Sequence, residues 1–179
     1  MDHLWSPWRL KYVTDAKPQG CVFCLGAGQP AGATSLNQDL LVFQGELAYV
    51  ILNLYPYNNG HLMVVPYRHE STLAQLTPGE MNEVGLLTQR CETALREAYR
   101  LEGINVGVNL GAPAGAGIIE HVHVHLVPRW NGDTNFMTVV GGTRVLPEEL
   151  RSTAARLRPI FERLARQKDT RGPAASEDN

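Results

Sequence analysis

The feature that most constrains this chain is the stretch at residues 120–130, EHVHVHLVPRW, in which three histidines alternate with apolar residues. The chain has six histidines in 179 residues, so half of them fall within five positions. Alternate side chains of a β-strand project from the same face of a sheet. The spacing therefore predicts a strand that carries His121, His123 and His125 on one exposed face, each about 6.5–7 Å from the next. The apolar residues between them would point into the core.

Three imidazoles on one face can bind a metal, hold phosphate groups, or supply a nucleophile with its partners. The segment just before them, residues 111–117, reads GAPAGAG. Its small residues leave backbone N–H groups accessible, which suits the close approach of a phosphate. A polar strand face with incidental histidines is the alternative, and the strict alternation of a rare residue argues against it. The pattern indicates a phosphate- or metal-binding site on this strand.

The rest of the chain predicts an α+β fold. Thr77, Pro78 and Glu80 form a capping sequence, and the apolar residues that follow recur at spacings of three and four as far as about Leu101. This pattern indicates one long helix, and a second, C-terminal helix is predicted to open at residues 147–149. Apolar and β-branched runs predict strands at residues 39–43, 46–53, 61–67, 104–110 and 134–140. The outline is a mainly antiparallel sheet with the helices segregated from it.

Length and charge set the class of protein. A chain of 179 residues favours one domain, which we assign to residues 1–167. Residues 168–179 are polar and contain proline and glycine, so we expect a disordered tail. The net charge of −2 gives no overall attraction to nucleic acid or anionic lipid, and no run approaches the ~18 apolar residues of a membrane span. With no leader-like N-terminus, we expect a cytoplasmic protein that binds neither nucleic acid nor membrane.

Cysteine usage fits that compartment. Cys21 and Cys24 form a CxxC pair, and Cys91 stands alone on the apolar stripe of the predicted long helix, where we expect a core residue. An odd count with one close pair indicates metal or redox use rather than a disulfide framework. A CxxC pair supplies only half of a zinc site. Redox activity is the alternative, and it is less favoured because Cys21 does not follow a strand of thioredoxin-like pattern.

The sequence H-V-H-V-H-L-V resembles the signature of the histidine triad (HIT) family, H-φ-H-φ-H-φ-φ, where φ is apolar. Upstream, NLYPYNNGHLMVVPYRH resembles the paired strands of that family. The segments LWSPWR, CVFC and VPRWNGDTNFM resemble a bacterial branch close to dinucleoside polyphosphate phosphorylases and hydrolases. The resemblance covers roughly residues 3–165. It implies a HIT-like fold and a homodimer formed through the long helix and a shared sheet.

Because the family cleaves or transfers nucleotides at an α-phosphate, the resemblance implies three catalytic positions. His123 would attack the phosphorus through Nε2 and form a nucleotidyl-histidine, which then passes its nucleotide to water, phosphate or another acceptor. His125 would hold phosphate oxygens and assist the leaving group. His61 resembles the upstream histidine of the family, which helps to orient the nucleophile.

The resemblance also implies nucleotide-binding positions. Asn53 matches the position that contacts ribose hydroxyls. Asn109 and the loop amides around Gly115 and Gly117 would take phosphate oxygens together with His125. Because asparagine favours turns, a structural role for either asparagine is the alternative. The polar side chains that the family often has just before the triad are replaced here by glycine and isoleucine, so backbone amides, His125 or a partner chain would activate the leaving group.

In zinc-bearing members of the family, and in the related galactose-1-phosphate uridylyltransferases, a CxxC pair, a histidine after the second strand and the first triad histidine bind the metal. The matching residues here are Cys21, Cys24, His69 and His121. Four protein ligands of this kind make a closed, structural zinc site. The resemblance therefore implies that the single domain includes an N-terminal zinc-binding segment.

The expected function is cleavage of dinucleoside polyphosphates, such as diadenosine tetraphosphate, by phosphorolysis or hydrolysis. One alternative is an adenosine phosphoramidate hydrolase or a nucleotidyltransferase with another acceptor. An alternative of another class is a nucleotide-binding regulator without turnover. The intact middle histidine argues against the regulator, because binding alone needs no nucleophile.

Overall fold

The computed structural model describes residues 20–26, 39–133 and 148–168 of the chain. The strand predicted at residues 134–140 and nearly all of the predicted tail lie outside these residues. The bounds of the domain and the state of the tail therefore stay predictions.

Five strands form one antiparallel sheet in the described part of the chain. They are β1 (Leu41–Gln44), β2 (Ala48–Leu52), β3 (Leu62–Pro66), β4 (Gly103–Gly107) and β5 (Val124–Arg129). Their order across the sheet is β1-β2-β3-β5-β4, and every neighbouring pair is antiparallel. At the hairpin between β1 and β2, the Gly45 N–H donates to the Ala48 carbonyl at 2.9 Å. The predicted α+β fold with a mainly antiparallel sheet is confirmed.

Among the helices that the structure describes are α1 (Val22–Gly26), α2 (Pro78–Tyr99) and α3 (Leu150–Lys168). At the start of α2, the Thr77 hydroxyl accepts from the Glu80 N–H while the Glu80 carboxylate accepts from the Thr77 N–H, so the predicted capping box is present. The helix ends where Arg100 takes a left-handed conformation with φ of 45°. None of the helices in these segments is long and apolar enough to cross a membrane.

Helices α2 and α3 cover one face of the sheet. Phe43 in β1 pairs with Val50 in β2 and stacks on Phe161 of α3, with ring centroids 5.8 Å apart. The guanidinium of Arg90 in α2 lies 4.9 Å from the centre of the Phe43 ring. The hydrophobic core lies between this face and the two long helices, where Phe161 is fully buried.

The opposite face of the sheet carries α1 and part of the histidine triad. Tyr49 precedes Val50 in β2 and so points to this opposite face, where its hydroxyl donates to the Phe23 carbonyl of α1 at 2.8 Å. His125 in β5 pairs with Met63 in β3, which shares the face of Tyr49 by strand alternation. The candidate site is thus separated from α2 and α3 by the sheet itself.

Candidate functional site

The histidine triad straddles the start of β5. The strand begins one residue before His125, so His125 lies within it while His121 and His123 precede it. The preceding segment is fixed to the chain that follows β3, because the Val122 N–H donates to the Glu70 carbonyl at 2.7 Å. The sequence predicted one strand through all three histidines, and the structure places a regular strand under only the last.

The prediction of an exposed face for the three imidazoles is wrong for two of them. His121 is 1% exposed and His123 is 6% exposed, while His125 is half-buried. The physical reason is α1, whose Phe23 ring lies 5.5 Å from the His121 ring and 4.8 Å from the His123 ring, centroid to centroid. A segment distant in sequence thus covers the first two histidines.

His61 completes a cluster of three imidazoles. It immediately precedes β3, and since Met63 pairs with His125, His61 is a diagonal cross-strand neighbour of His125. Its Nε2 lies 3.0 Å from Nδ1 of His125, and the centroids of the His123 and His125 rings are 4.6 Å apart. His61 is fully buried. The structure therefore brings together the three histidines for which the sequence predicted catalytic roles.

The hydrogen-bond partners assign the proton positions on His61 and His125. The Tyr57 backbone N–H, which can only donate, lies 3.1 Å from His61 Nδ1, so this nitrogen accepts. The proton of neutral His61 is then on Nε2, which donates to His125 Nδ1. Because His125 Nδ1 accepts, the proton of neutral His125 is on Nε2. His125 consequently offers an N–H donor to the site.

His123 has the opposite assignment. Its Nδ1 lies 2.9 Å from the backbone carbonyl oxygen of His121, which can only accept, so Nδ1 carries the proton. Nε2 of neutral His123 then keeps its lone pair. Two neighbouring rings therefore present complementary groups, a lone pair on His123 and an N–H on His125. This is the arrangement that a nucleophile and a hydrogen-bond donor for phosphate oxygen require.

All three rings are held neutral near pH 7. Burial, reinforced by the neighbouring imidazoles of His125 and His123, lowers the pKa of His61 from its ordinary value of 6.5 to about 3. Burial and the nearby His123 lower the pKa of His125 to about 4. Burial also lowers the pKa of His123, against the opposing effect of its hydrogen bond to the His121 carbonyl. Neutrality is what leaves the His123 lone pair available.

These pKa shifts predict a loss of stability in mild acid. The unfolded chain takes up protons on His61 and His125 below about pH 6.5, and the folded chain resists until about pH 4. As the pH is lowered from about 6.5 to about 4, the free energy of unfolding should decrease, by up to about 1.4 kcal/mol per pH unit for each histidine. Urea unfolding of metal-free protein at several pH values measures the slope. The variant His61→Gln, which has no titrating ring, should show a shallower slope, and equal slopes would contradict the prediction.

Asn53 lies at the end of β2, beside His61. Its side-chain oxygen accepts from the Tyr55 N–H at 2.9 Å, and its amide nitrogen lies 3.4 Å from His61 Nδ1. Its backbone N–H donates to the His61 carbonyl at 3.0 Å. The turn-forming alternative for Asn53 therefore has direct support, and the side chain also borders the histidine cluster.

The remaining nucleotide-binding candidates lie in the loop between β4 and the triad. Gly115 has φ of +90°, which side-chain-bearing residues rarely adopt, and a Cβ added there would lie 3.9 Å from the amide nitrogen of Asn109. A Cβ added to Gly117 would meet no described atom within 4 Å. Asn109 thus sits against the loop, and Gly117 faces open space.

The four predicted metal ligands come together at the other end of β3. Nδ1 of His121 lies 3.4 Å from Sγ of Cys21 and 3.6 Å from Sγ of Cys24, and Nδ1 of His69 lies 3.1 Å from Sγ of Cys24. All four ligand atoms lie within 4.8 Å of one another. Nε2 of His121 donates to the Pro66 carbonyl at 2.8 Å, which leaves the Nδ1 lone pair directed to the cysteines.

The chemistry of these donors fits zinc. Zinc–sulfur bonds of about 2.3 Å and zinc–nitrogen bonds of about 2.0 Å in a tetrahedron place ligand atoms roughly 3.3–3.8 Å apart, close to the spacing here. Without a cation, burial and the adjacent Cys21 raise the pKa of Cys24 to about 11. A bound divalent cation would favour both thiolates, and the carbonyl behind His121 fixes the tautomer that a ligand needs.

Four groups of the site were not predicted from the sequence. The Tyr57 amide and the His121 and Pro66 carbonyls are backbone atoms, so no side-chain pattern indicates them. Phe23, the inner aromatic residue of CVFC, covers the triad. Its apolar character inside a metal-binding pair is the signal that could have identified it, since an aromatic residue held beside a metal must pack on something.

Known proteins resemble this chain over most of its length. A family model described as HIT domain matches residues 35–132. A protein of Mycobacterium tuberculosis (strain ATCC 25618 / H37Rv) named AP-4-A phosphorylase is 43% identical over 157 residues, which cover 86% of this chain and 80% of that protein. A protein of Dictyostelium discoideum named bis(5'-adenosyl)-triphosphatase is 30% identical over 137 residues, covering 73% of this chain and 91% of its own length.

Solved structures share the fold. The crystal structure of a Zn-bound histidine triad family protein from Mycobacterium smegmatis is 28% identical with a TM-score of 0.63, covering 82% of this chain and 96% of that one. A hypothetical histidine triad nucleotide-binding protein from Sulfolobus tokodaii is 23% identical with a TM-score of 0.64, covering 86% and 100%. The second likeness concerns the fold alone.

Proposed function

Since this chain belongs to the HIT domain family, we propose that it is an enzyme that cleaves dinucleoside polyphosphates of the diadenosine tetraphosphate type at an α-phosphate. The name of the 43%-identical relative, AP-4-A phosphorylase, favours inorganic phosphate as the acceptor. The observation that carries the proposal is the complementary pair of His123 and His125, one with a lone pair and one with an N–H, on rings 4.6 Å apart.

In the first step, Nε2 of His123 attacks the α-phosphorus. A phosphorus–nitrogen bond forms, and the bond from phosphorus to the bridging oxygen of the leaving nucleotide breaks. The Nε2–H of His125 donates to the oxygen on which negative charge develops. The hydrogen bond from Nδ1 of His123 to the His121 carbonyl stabilises the positive charge that the imidazole gains.

In the second step, an oxygen of inorganic phosphate attacks the same phosphorus from the vacated side. The phosphorus–nitrogen bond breaks, and Nε2 of His123 recovers its lone pair. For diadenosine tetraphosphate, the first step releases ATP and the second releases ADP. Because the transfer is split into two steps, His123 first displaces the leaving nucleotide and then passes the nucleotidyl group to phosphate.

We propose that the loop before the triad holds the substrate. Asn109 and the amides near Gly115 and Gly117 would take phosphate oxygens, supported by the left-handed backbone at Gly115 and the open space at Gly117. Asn53 would contact a ribose hydroxyl, supported by its place beside His61.

We also propose that Cys21, Cys24, His69 and His121 hold a structural zinc ion. Support comes from the compact donor set and from the Zn-bound relative from Mycobacterium smegmatis. When bound, zinc would supply a fixed tetrahedral junction and no reactive position. The chain's own contribution is to join α1 to the triad segment, with the Pro66 carbonyl orienting His121.

The hydrogen bond from His61 Nε2 to His125 Nδ1 predicts a difference between two substitutions of His61. His61→Leu removes the donor to His125 Nδ1, so the His125 proton is no longer confined to Nε2, and kcat should fall about 100-fold. His61→Gln keeps an N–H donor at a similar reach, and kcat should fall less than about tenfold. Steady-state kinetics with diadenosine tetraphosphate measures both. Equal losses in the two variants would contradict the donor role.

A product assay tests the proposed function. The protein is incubated with diadenosine tetraphosphate, with and without inorganic phosphate, and the nucleotides are separated by ion-exchange chromatography. We expect ADP and ATP only when phosphate is present. If AMP and ATP form in the absence of phosphate, the reaction is hydrolysis and not phosphorolysis. If no product forms under either condition, this substrate class is rejected.

We propose a cytoplasmic homodimer as the working form, with nucleotides rather than nucleic acid or membrane as its ligands. The free thiols of Cys21 and Cys24 suit a reducing compartment. Strand β4 lies at an edge of the sheet, and its Val106 is 54% exposed, so a second copy could extend the sheet there. Sedimentation analysis would show twice the chain mass, and a monomer would reject the dimer.

A further inference from the structure

Phe23 connects the metal-binding segment to the nucleophile. It lies between Cys21 and Cys24 in α1, and its side chain is 4% exposed. Its ring lies 4.8 Å from the His123 ring at an interplanar angle of 54°. Phe23 is thus one of the two inner residues of the CxxC motif and a direct neighbour of the imidazole that is proposed to attack.

The backbone of Phe23 is fixed from several directions. Cys21 and Cys24, which lie on either side of it in the motif, supply the two thiols of the metal site. Its carbonyl accepts from the buried Tyr49 hydroxyl at 2.8 Å. Burial raises the pKa of that hydroxyl far above its ordinary value, so it stays a donor. The ring of Phe23 therefore has little freedom to move away from His123.

The His123 ring needs such a neighbour. An imidazole rotates over a broad range about its Cβ–Cγ bond. The single hydrogen bond from Nδ1 to the His121 carbonyl opposes this rotation. Half a turn of the ring would place Cδ2–H instead of Nδ1–H against that carbonyl and would exchange the positions of Nε2 and Cε1. The proton would then no longer be confined to Nδ1, and the Nε2 lone pair would no longer point toward the substrate. A rigid aromatic ring in contact with the imidazole makes the alternative orientation sterically costly.

We infer that Phe23 is a positioning residue for the nucleotidyl-transfer reaction, holding the His123 imidazole in the orientation that places its Nδ1–H on the His121 carbonyl and its Nε2 lone pair toward the substrate. This inference rests on the proposed function for its catalytic consequence. The contact itself belongs to the structure of the free protein and is measured without substrate.

The test compares Phe23→Leu with Phe161→Leu. Both substitutions replace a buried phenylalanine by leucine, but Phe161 packs on Phe43 on the other face of the sheet. We expect Phe23→Leu to lower kcat about tenfold with KM within twofold, because ring orientation affects the reacting atoms rather than the binding contacts. Phe161→Leu should lower thermal stability about as much as Phe23→Leu does, while its kcat stays within twofold of the unsubstituted protein.

A second measurement does not depend on turnover. Long-range ¹H–¹⁵N spectra of histidine-labelled protein report which ring nitrogen carries the proton, and His123→Asn assigns the His123 signals. The unsubstituted protein and Phe161→Leu should show His123 protonated on Nδ1 alone, whereas Phe23→Leu should show a mixture of both neutral forms. Metal analysis should find zinc retained in all of them.

A single Nδ1–H form in Phe23→Leu would overturn the inference, as would a loss of kcat no larger than that of Phe161→Leu. Loss of zinc from Phe23→Leu would also overturn it, because the residue would then act by holding the metal segment. If the unsubstituted protein forms no product from dinucleoside polyphosphates, the proposed function fails, and the spectra still decide whether Phe23 orients His123.

Discussion

His123→Ala should abolish cleavage of diadenosine tetraphosphate, with kcat reduced at least about 10⁴-fold. The substitution removes the lone pair that is proposed to form the bond to phosphorus. Nucleotide affinity should stay within about tenfold, because the ring is only 6% exposed and contributes little to binding. Calorimetry measures affinity, and rapid quenching in alkaline detergent with α-labelled substrate detects the covalent nucleotidyl-protein, which should form only when His123 is present.

His123→Asn is the matched control for this experiment. Its side-chain amide can donate to the His121 carbonyl in place of Nδ1, so the local hydrogen bond is kept while the nucleophile is lost. It should be as inactive as His123→Ala while unfolding closer to the temperature of the unsubstituted protein. Turnover that survives in either variant would reject His123 as the nucleophile.

Cys21→Ala should release the metal and destabilise the protein by about 4 kcal/mol, if free zinc exceeds its dissociation constant about 1000-fold. For a chain of this size the unfolding temperature should fall by roughly 10 °C. The reason is that one lost thiolate opens the set of Cys21, Cys24, His69 and His121, which joins α1 to the triad segment. Metal analysis and thermal unfolding, with and without a chelator, measure the two effects.

Cys91→Ala provides the comparison, since Cys91 is fully buried in α2 and burial raises the pKa of its thiol. This variant should lose some stability to a small cavity but keep one zinc per chain and remain sensitive to the chelator. The zinc proposal would be contradicted if the purified unsubstituted protein contained no zinc. It would also be contradicted if a chelator left the unfolding temperature of that protein unchanged.

Local patterns in the sequence predicted most of the fold. The capping box of Thr77 and Glu80 and the strands on either side of Gly45 each depend on residues a few positions apart, so their physics is contained in short segments. The alternation of His121, His123 and His125 also predicted a strand at the triad, and the structure has one there, although it begins only at Val124. These predictions required no knowledge of what packs against them.

The environment of the triad could not be predicted in the same way. His123 is buried because Phe23, one hundred residues earlier, lies over it, and no local pattern encodes such a contact. The proton positions depend on the Tyr57 amide and on the His121 and Pro66 carbonyls, which every sequence possesses. The residue types therefore predicted which reactions the site can support. Tertiary contacts determine which ring nitrogen carries the proton and which keeps its lone pair.

Strand β3 has five residues, Leu62–Pro66, and joins two centres. His61 of the histidine cluster immediately precedes it, and the Pro66 carbonyl that orients His121 closes it, with His69 three residues beyond. Inserting or deleting one residue within a strand turns its following side chains to the opposite face. A length change in β3 would therefore break the hydrogen bond from His61 to His125 and displace the proposed metal ligands in a single event, so such variants cannot test the two sites separately.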